Sequence, residues 1–312
     1  MGLPAAGPGR VTVFGPHPLL NVTIEARPSG GEDIHLHPGG QGVWVAHTAG
    51  ELGANPILCG FVGGEPGALL RPLLENLPGE LRLVDTAAAS GCSVMDRRCG
   101  ERRVLASAWS GPPSRHEIDD LFSLACSTAL GSGALAVCNP WPADLLPLEL
   151  YANLVSDARA NGVPVLVDLS SPRLDSALEG RPDVVSINDW ELAEYVRGPV
   201  DGPRLRRGAE LLLERGAGLV VITRGGEPAL ALSADHAWEV VPPRLERGFR
   251  EGCGDSMLGA MAATLAAGAD LERVLVLGAA AGAACFLRHG LGTASRAVIE
   301  ELAGRVELRE AG

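Results

Sequence analysis

The segment Arg250-Glu251-Gly252-Cys253-Gly254-Asp255-Ser256-Met257 holds the residues best suited to chemistry. Two glycines flank one small residue, an aspartate follows, and Met257, Leu258, Met261 and Leu265 then recur at helical spacing. Glycines let the backbone turn sharply and leave its N–H groups uncovered. A helix beginning there adds its own unpaired N–H groups and the positive end of its dipole. Such a turn is an anion pocket. An aspartate at its rim accepts a proton from a hydroxyl while the amides hold a phosphoryl group, which is the equipment for moving phosphate onto an alcohol. The same residues also suit a plain loop that ends in a helix N-cap, so the reading depends on the rest of the chain.

Composition removes several alternatives. All 26 basic residues are arginines. Without a lysine there is no Walker P-loop, no pyridoxal Schiff base and no strand lysine of the protein-kinase kind. The formal net charge is −12, from 38 acids against those arginines, with no basic block, which argues against nucleic acid as a partner. No apolar run reaches membrane-spanning length and the N-terminus lacks a signal pattern. Seven cysteines, at 59, 92, 99, 126, 138, 253 and 285, show no Cys-x-x-Cys spacing and sit mostly in apolar stretches. Reduced, buried thiols in a cytoplasmic protein are the expectation, and zinc is not.

The elements that must position the glycine turn read as a doubly wound α/β body. Apolar runs at Val11–Phe14, Pro56–Phe61, Ala134–Asn139, Pro164–Leu169, Val184–Ile187 and Leu219–Thr223 are predicted strands. Helical patterns lie between several of them, at Gln41–Leu52, Ala68–Asn76, Glu117–Leu130, Leu145–Asn161 and Arg204–Arg215. Near-continuous apolar strands alternating with helices predict a mostly parallel sheet covered on both faces. From Gly254 to about Arg305 the chain reads as successive alanine-rich helices. Val22–His37 and Cys92–Ala108 break the rhythm with shorter, more polar alternation, and predict a small antiparallel sheet that serves as a lid or pairs subunits. His35 and His37 would share one face of such a strand. The first nine residues are expected to fray. In doubly wound sheets the cleft lies beyond the carboxyl ends of the strands. There the turns carry Gly39-Gly40, Asn139-Pro140, Asp168, Asn188 and Gly225-Gly226.

Several motifs then coincide in order. Gly39-Gly40-Gln41-Gly42-Val43-Trp44-Val45-Ala46 is followed by Gly60-Phe61-Val62-Gly63-Gly64, Ser110-Gly111-Pro112 and Val167-Asp168-Leu169-Ser170-Ser171. Asn188-Asp189-Trp190-Glu191-Leu192, Thr223-Arg224-Gly225-Gly226 and Gly252-Cys253-Gly254-Asp255-Ser256 complete the series. Nearly the whole chain resembles the ribokinase-like (PfkB-type) carbohydrate kinases, most closely the branch that contains 1-phosphofructokinase and tagatose-6-phosphate kinase. The resemblance implies one kinase domain over residues 1–312, with a central α/β sheet and a β-lid of about 22–37 and 92–108. It also implies ATP- and Mg2+-dependent phosphoryl transfer to a sugar hydroxyl. By motif position Asp255 would be the base, and the backbone N–H groups of Gly252, Cys253 and Gly254 the anion hole. Asn188 and Glu191 would act around magnesium and the phosphates, Glu191 through waters, and Thr223 and Gly225 would lie along the nucleotide. Asn21, Gly39, Gly40, Gln41 and Trp44 would face the acceptor, and the lid would pair two subunits into a homodimer. From spacing alone, Asn188 and Glu191 also suit a helix N-terminus with an acidic first turn.

The departures from the family pattern cluster on the acceptor side. Gln41 replaces the lysine of Gly-Gly-Lys-Gly, Trp44 the asparagine three residues on, and Asn21 the aspartate of Asn-Pro-x-x-Asp. The lid's Thr-Arg-x-Asn falls at Cys92-Ser93-Val94-Met95, Lys-Pro-Asn becomes Ser186-Ile187-Asn188, and Pro228 stands where glycine is usual. Loss of a cation that faces a phosphate makes a hexose monophosphate a poor acceptor, with Arg97, Arg98, Arg102, Arg103 and Arg247 as candidate replacement charges. Trp44 suits either the pocket or the core. Beside the kinase reading stand a non-catalytic ligand-binding or regulatory member of the fold, and a nucleoside kinase in which Trp44 stacks on a base.

Overall fold

The computed structural model describes residues 9–100, 102–288 and 294–311. Apart from residue 9, the fraying expected at the N-terminus falls outside them. The chain runs β1 (Arg10–Phe14), β2 (Leu19–Ala26), β3 (Glu32–Gly39), α1 (Gln41–Glu51), β4 (Asn55–Gly63), α2 (Gly64–Leu74), β5 (Glu80–Thr86), β6 (Gly91–Asp96), β7 (Arg103–Ala108) and α3 (Arg115–Ala129). It continues through β8 (Ala134–Cys138), α4 (Glu149–Ala160), β9 (Val165–Asp168), α5 (Arg173–Glu179), β10 (Val184–Asn188), α6 (Asp189–Tyr195), α7 (Pro203–Glu214) and β11 (Leu219–Arg224). Last come β12 (Glu227–Ser233), β13 (Ala237–Val241), α8 (Cys253–Ala266), α9 (Leu271–Phe286), α10 (Arg296–Ala303) and β14 (Glu307–Glu310).

Strands β11, β10, β9, β8, β1, β4 and β5 pair in parallel in that order. They are apolar along almost their whole length because both faces of the sheet are covered. One face packs on α3, α4, α5 and α7 through Leu121, Leu154, Leu174 and Leu212. The other packs on α1, α2, α8 and α9 through Val45, Leu74, Leu258 and Leu275. Strands β12, β13 and β14 extend the sheet with antiparallel pairings, a feature not marked in the sequence reading. Their cause is the two-residue Gly225-Gly226 turn, where Gly225 has φ +62°, which folds β12 straight back on β11. The chain leaves β1 toward β4 on one side and later places β8 on the other, so the direction of winding reverses between β1 and β8. A doubly wound sheet opens its ligand crevice at that point.

The two irregular stretches form a separate four-stranded sheet in the order β3-β2-β6-β7. The expected all-antiparallel pairing is corrected here, because β2 and β6 are parallel. Both follow main-sheet strands that end at the same edge, so the chain runs into the lid twice in one direction. Alternation separates the faces. Asn21, Thr23, Ser93 and Met95 are buried toward the body, whereas Val22 and Ile24 pair with Leu36 and Ile34 on the opposite face. There Ile34 is 64% and Leu36 46% exposed.

Helix α8 must come close to α1 to bring its N-terminus into the crevice. At Gly259 a Cβ would collide with the Val45 carbonyl oxygen and meet Thr48 Cβ at 3.1 Å. Gly259→Val should therefore cost about 1–3 kcal/mol by overpacking and lower the thermal unfolding midpoint by several degrees. An unchanged midpoint would mean that α1 and α8 are not held this tightly.

Candidate active site

The turn before α8 closes on Gly252, whose φ of +80° lies in the left-handed region open to glycine. The Cys253 N–H donates to the Arg250 carbonyl at 3.2 Å and closes this turn. That bond engages one of the three N–H groups expected in the anion hole; those of Gly252 and Gly254 stand at the start of α8, where a helix leaves its first donors unpaired. The Cys253 thiol lies 3.3 Å from the Phe249 carbonyl, and its hydrogen bond with Cys285, followed by burial, holds it well above the usual thiol range.

Asp255 sits in the first turn of α8, partly buried. Burial pushes its carboxyl up to about 7, with the nearby charge of Glu191 adding and a hydrogen bond from Gln41 opposing. Asp168, at the carboxyl end of β9, is also held well above the usual carboxylate range, by burial first and then by Glu191 and Asp255. Its Oδ2 is 3.8 Å from where a Cβ on Gly254 would stand. Three acids thus crowd one corner of the crevice.

Gln41 holds two of them. Its Oε1 accepts from the Asn139 N–H at 2.5 Å, just past the end of β8. Its amide hydrogens serve Asp168 and Asp255. The residue expected to face the acceptor thus lies at the carboxylate corner, at the start of α1. Asn139 Oδ1 in turn accepts from Ser170 N at 3.1 Å and Arg173 Nε at 3.0 Å. Arg173 is 4% exposed, and it donates further to the Ala143 carbonyl and Ser170 Oγ. This buried guanidinium ties together the loops after β8 and β9. Asn139 and Asp168 were legible only as polar ends of apolar strands, and nothing in the sequence marked Arg173.

Asn188 and Glu191 form a reciprocal capping box on α6: Asn188 Oδ1 accepts from the Glu191 N–H at 2.9 Å, and Glu191 Oε2 from the Asn188 N–H at 3.2 Å. The helix-terminus alternative is therefore present. The box still leaves Glu191 in the same corner, partly buried, its carboxyl raised chiefly by burial, and close enough to raise both aspartates. Thr223 pairs with Asn188 across β11 and β10, and a Cβ on Gly225 would stand 3.9 Å from the Arg250 guanidinium. These residues form one rim.

On the other side of the crevice, Gly39 lies against the Asn21 side-chain amide and Gly40, at φ +104°, against the His17 carbonyl. A Cβ on Gly40 would come within 2.6 Å of that oxygen. Asn21 is 1% exposed, and neither atom of its amide has a hydrogen-bond partner among the described residues. Trp44 packs against the apolar cluster beneath α1, which is the core alternative. Of the expected lid motif, Ser93 and Met95 face the body while Cys92 and Val94 take the other face of β6. Arg97 stacks over Phe249 at 4.6 Å and pairs with Glu25 at 3.5 Å. Arg102 pairs with Glu251 at 3.8 Å. Arg98 instead binds Asp96 and Glu32 on the lid itself. His37 accepts or donates one hydrogen bond with Thr23 Oγ1 at 2.8 Å.

A ten-stranded body with a small lid, enclosing a glycine turn and a raised aspartate, defines a ribokinase-like sugar kinase. Residues 19–297 match the family described as pfkB family carbohydrate kinase, and the chain belongs to that family. It is 30% identical over 262 residues to the ATP-dependent 6-phosphofructokinase isozyme 2 of Escherichia coli, covering 82% of this chain and 83% of that one. It is 28% identical to the 1-phosphofructokinase of Rhodobacter capsulatus, covering 78% of each. The crystal structure of phosphofructokinase-2 from Escherichia coli in complex with potassium superposes with a TM-score of 0.82 at 26% identity, over 95% of this chain and 98% of that chain. Among the described residues no helix is long and apolar enough to cross a membrane.

Asp255 titrates near 7 in the folded protein and near 4 when unfolded. The folded state then binds more protons across that window, and stability falls as pH rises through it. Asp255→Asn removes this penalty. The variant should melt higher than wild type above pH 7, with the gap closing toward pH 4; parallel melting profiles would place the Asp255 carboxyl in the ordinary range.

Proposed function

We propose that the whole chain acts as one kinase domain that transfers the γ-phosphoryl group of ATP to a hydroxyl of a sugar or sugar-like acceptor, with Asp255 as base. The observation that carries this reading is the raised carboxyl of Asp255 at the N-terminus of α8, beside the left-handed Gly252. The acceptor hydroxyl gives its proton to Asp255 as its oxygen attacks phosphorus. Gly252 and Gly254, with the dipole of α8, cover the charge on the transferring group. ADP leaves along the rim of Asn188, Thr223 and Gly225.

Asp168, Glu191 and Asp255 are a donor set suited to a divalent cation, since burial raises each carboxyl and a bound cation would favour the ionised form. Among the described residues no three acidic, histidine or cysteine groups stand close enough to grip a bare metal ion. Magnesium, which keeps several waters, fits such a loose arrangement. Glu191 and Asp168 would hold it through those waters, and when bound it supplies charge neutralisation at the ATP phosphates. Gln41 keeps Asp255 aimed and partly offsets its raised pKa.

Asp255→Asn should lower kcat by about 10²–10⁴-fold, the usual worth of a general base. Wild-type turnover should climb with pH as Asp255 loses its proton and level off above about 7. A variant with full turnover would end the assignment. Glu191→Gln should raise the magnesium concentration needed for half-maximal rate, and superimposable magnesium titrations would remove Glu191 from that role.

The lid also suits a homodimer interface. Val22, Ile24, Ile34 and Leu36 make an apolar face on a sheet too small to stand in water alone. Sedimentation at micromolar concentration should give a dimer, and Ile34→Glu a monomer; a monomeric wild type would rule out the pairing.

A further inference from the structure

Helix α6 brings Glu191 to the carboxylate corner, yet it is seven residues long and Leu192 is its buried residue. Leu192 seats against α7, where a Cβ on Gly208 would come within 2.9 Å of its Cδ2. A helix this short does not hold its own direction. One buried side chain fixes where it lies and leaves it free to swivel. At its start the swivel is limited by the pairing of Asn188 with Thr223 across β10 and β11. At its other end the limit is polar.

Tyr195 closes α6, four residues after Glu191 and so one turn along the same face. Its hydroxyl donates to Asp175 Oδ1 at 2.9 Å and accepts from Arg215 Nη1 at 2.6 Å. Arg215 also pairs directly with Asp175 Oδ1 at 2.5 Å. Asp175 Oδ2 accepts from Ser171 Oγ at 3.0 Å, in the loop that follows Asp168. Burial, and then the bond to Asp175, push the phenol up to about 12, so it keeps the proton it donates. Asp175 lies on α5 and Arg215 caps α7. One carboxylate thus joins three helices and the loop after β9. The side chains of Asp175 and Arg215 are 35% and 45% exposed, so their ion pair adds little to stability by itself. Its effect is on direction. Asp168 and Glu191 reach the corner from β9 and α6, and this junction joins the same two elements a second time. Resting on the magnesium role given to Glu191 above, we propose that Tyr195, Asp175 and Arg215 are positioning residues, which stop α6 from swivelling on Leu192 and so fix the separation of Glu191 from Asp168. They act through Glu191 and need no contact with nucleotide or acceptor.

Calorimetry tests this on the full chain, with a non-hydrolysable ATP analogue titrated at a series of magnesium concentrations. Tyr195→Phe keeps the ring and removes the hydroxyl. It should raise the magnesium concentration that half-saturates analogue binding by about three- to ten-fold, no more than the low end of what loss of an outer partner costs a metal site. At saturating magnesium the analogue should bind as it does to wild type. Asp175→Asn should shift the curve in the same direction, and Arg215→Lys, which keeps the charge, should shift it less than Arg215→Met. In a Glu191→Gln background Tyr195→Phe should add nothing. A Tyr195→Phe variant that melts lower but gives a superimposable magnesium curve would overturn the proposal and leave the junction a brace for the fold. A shift that persists beside Glu191→Gln would also overturn it, since the junction would then act on another group. If Glu191→Gln alone leaves the curve unmoved, the magnesium role of Glu191 fails first, and the proposal with it.

Discussion

Asp168, Glu191 and Asp255 repel one another, and the fold holds them together all the same. The means are a neutral amide and a helix dipole. Gln41 spends its oxygen on the Asn139 backbone and its hydrogens on the two aspartates, while α8 aims its positive end at Asp255. Neither device cancels the crowding. A lysine at residue 41 would neutralise part of it and pull the carboxyls down. With glutamine the carboxyls stay high, and Asp255 rests close to neutrality, where a base is most useful. The substitution that reads in sequence as the loss of an acceptor contact also bears, in space, on the acidity of Asp255.

The supports for this corner explain much of the surrounding architecture. Asn139 is fixed by Ser170 and by Arg173, a guanidinium buried with neutral oxygens as its partners. Burying that charge lowers its pKa and is unfavourable alone, but three hydrogen bonds to loop oxygens lock the ends of β8 and β9 against each other. Close passage of α8 over α1 at Gly259, and of the Gly40 turn over His17, brings the rigid parts within reach of these loops.

The parallel body was readable because its strands are buried on both faces and so appear as unbroken apolar runs, as in Val165–Asp168 and Leu219–Arg224. The glycine turn before Asp255 was equally plain. Strands β12 to β14 were not, because their alternation is short and the turn that sets their direction is two glycines long. The lid was found but its pairing was not, since register between β2 and β6 is fixed by where the main sheet ends and not by the lid's own pattern. Gln41 and Arg173 show the limit most clearly. Their roles come from partners distant in the chain, 98 residues away for Gln41 and 34 for Arg173. Trp44 offered two readings, and it packs on the core cluster while staying partly exposed.

The parallel pairing of β2 with β6 has a mechanical side. The lid joins the body through chain segments at 15–18, 39–40, 87–90 and 109–111. Any tilt of the lid relative to the body would bend all four together, so the small sheet is carried as a plate on parallel supports and not as a flap on a single strand.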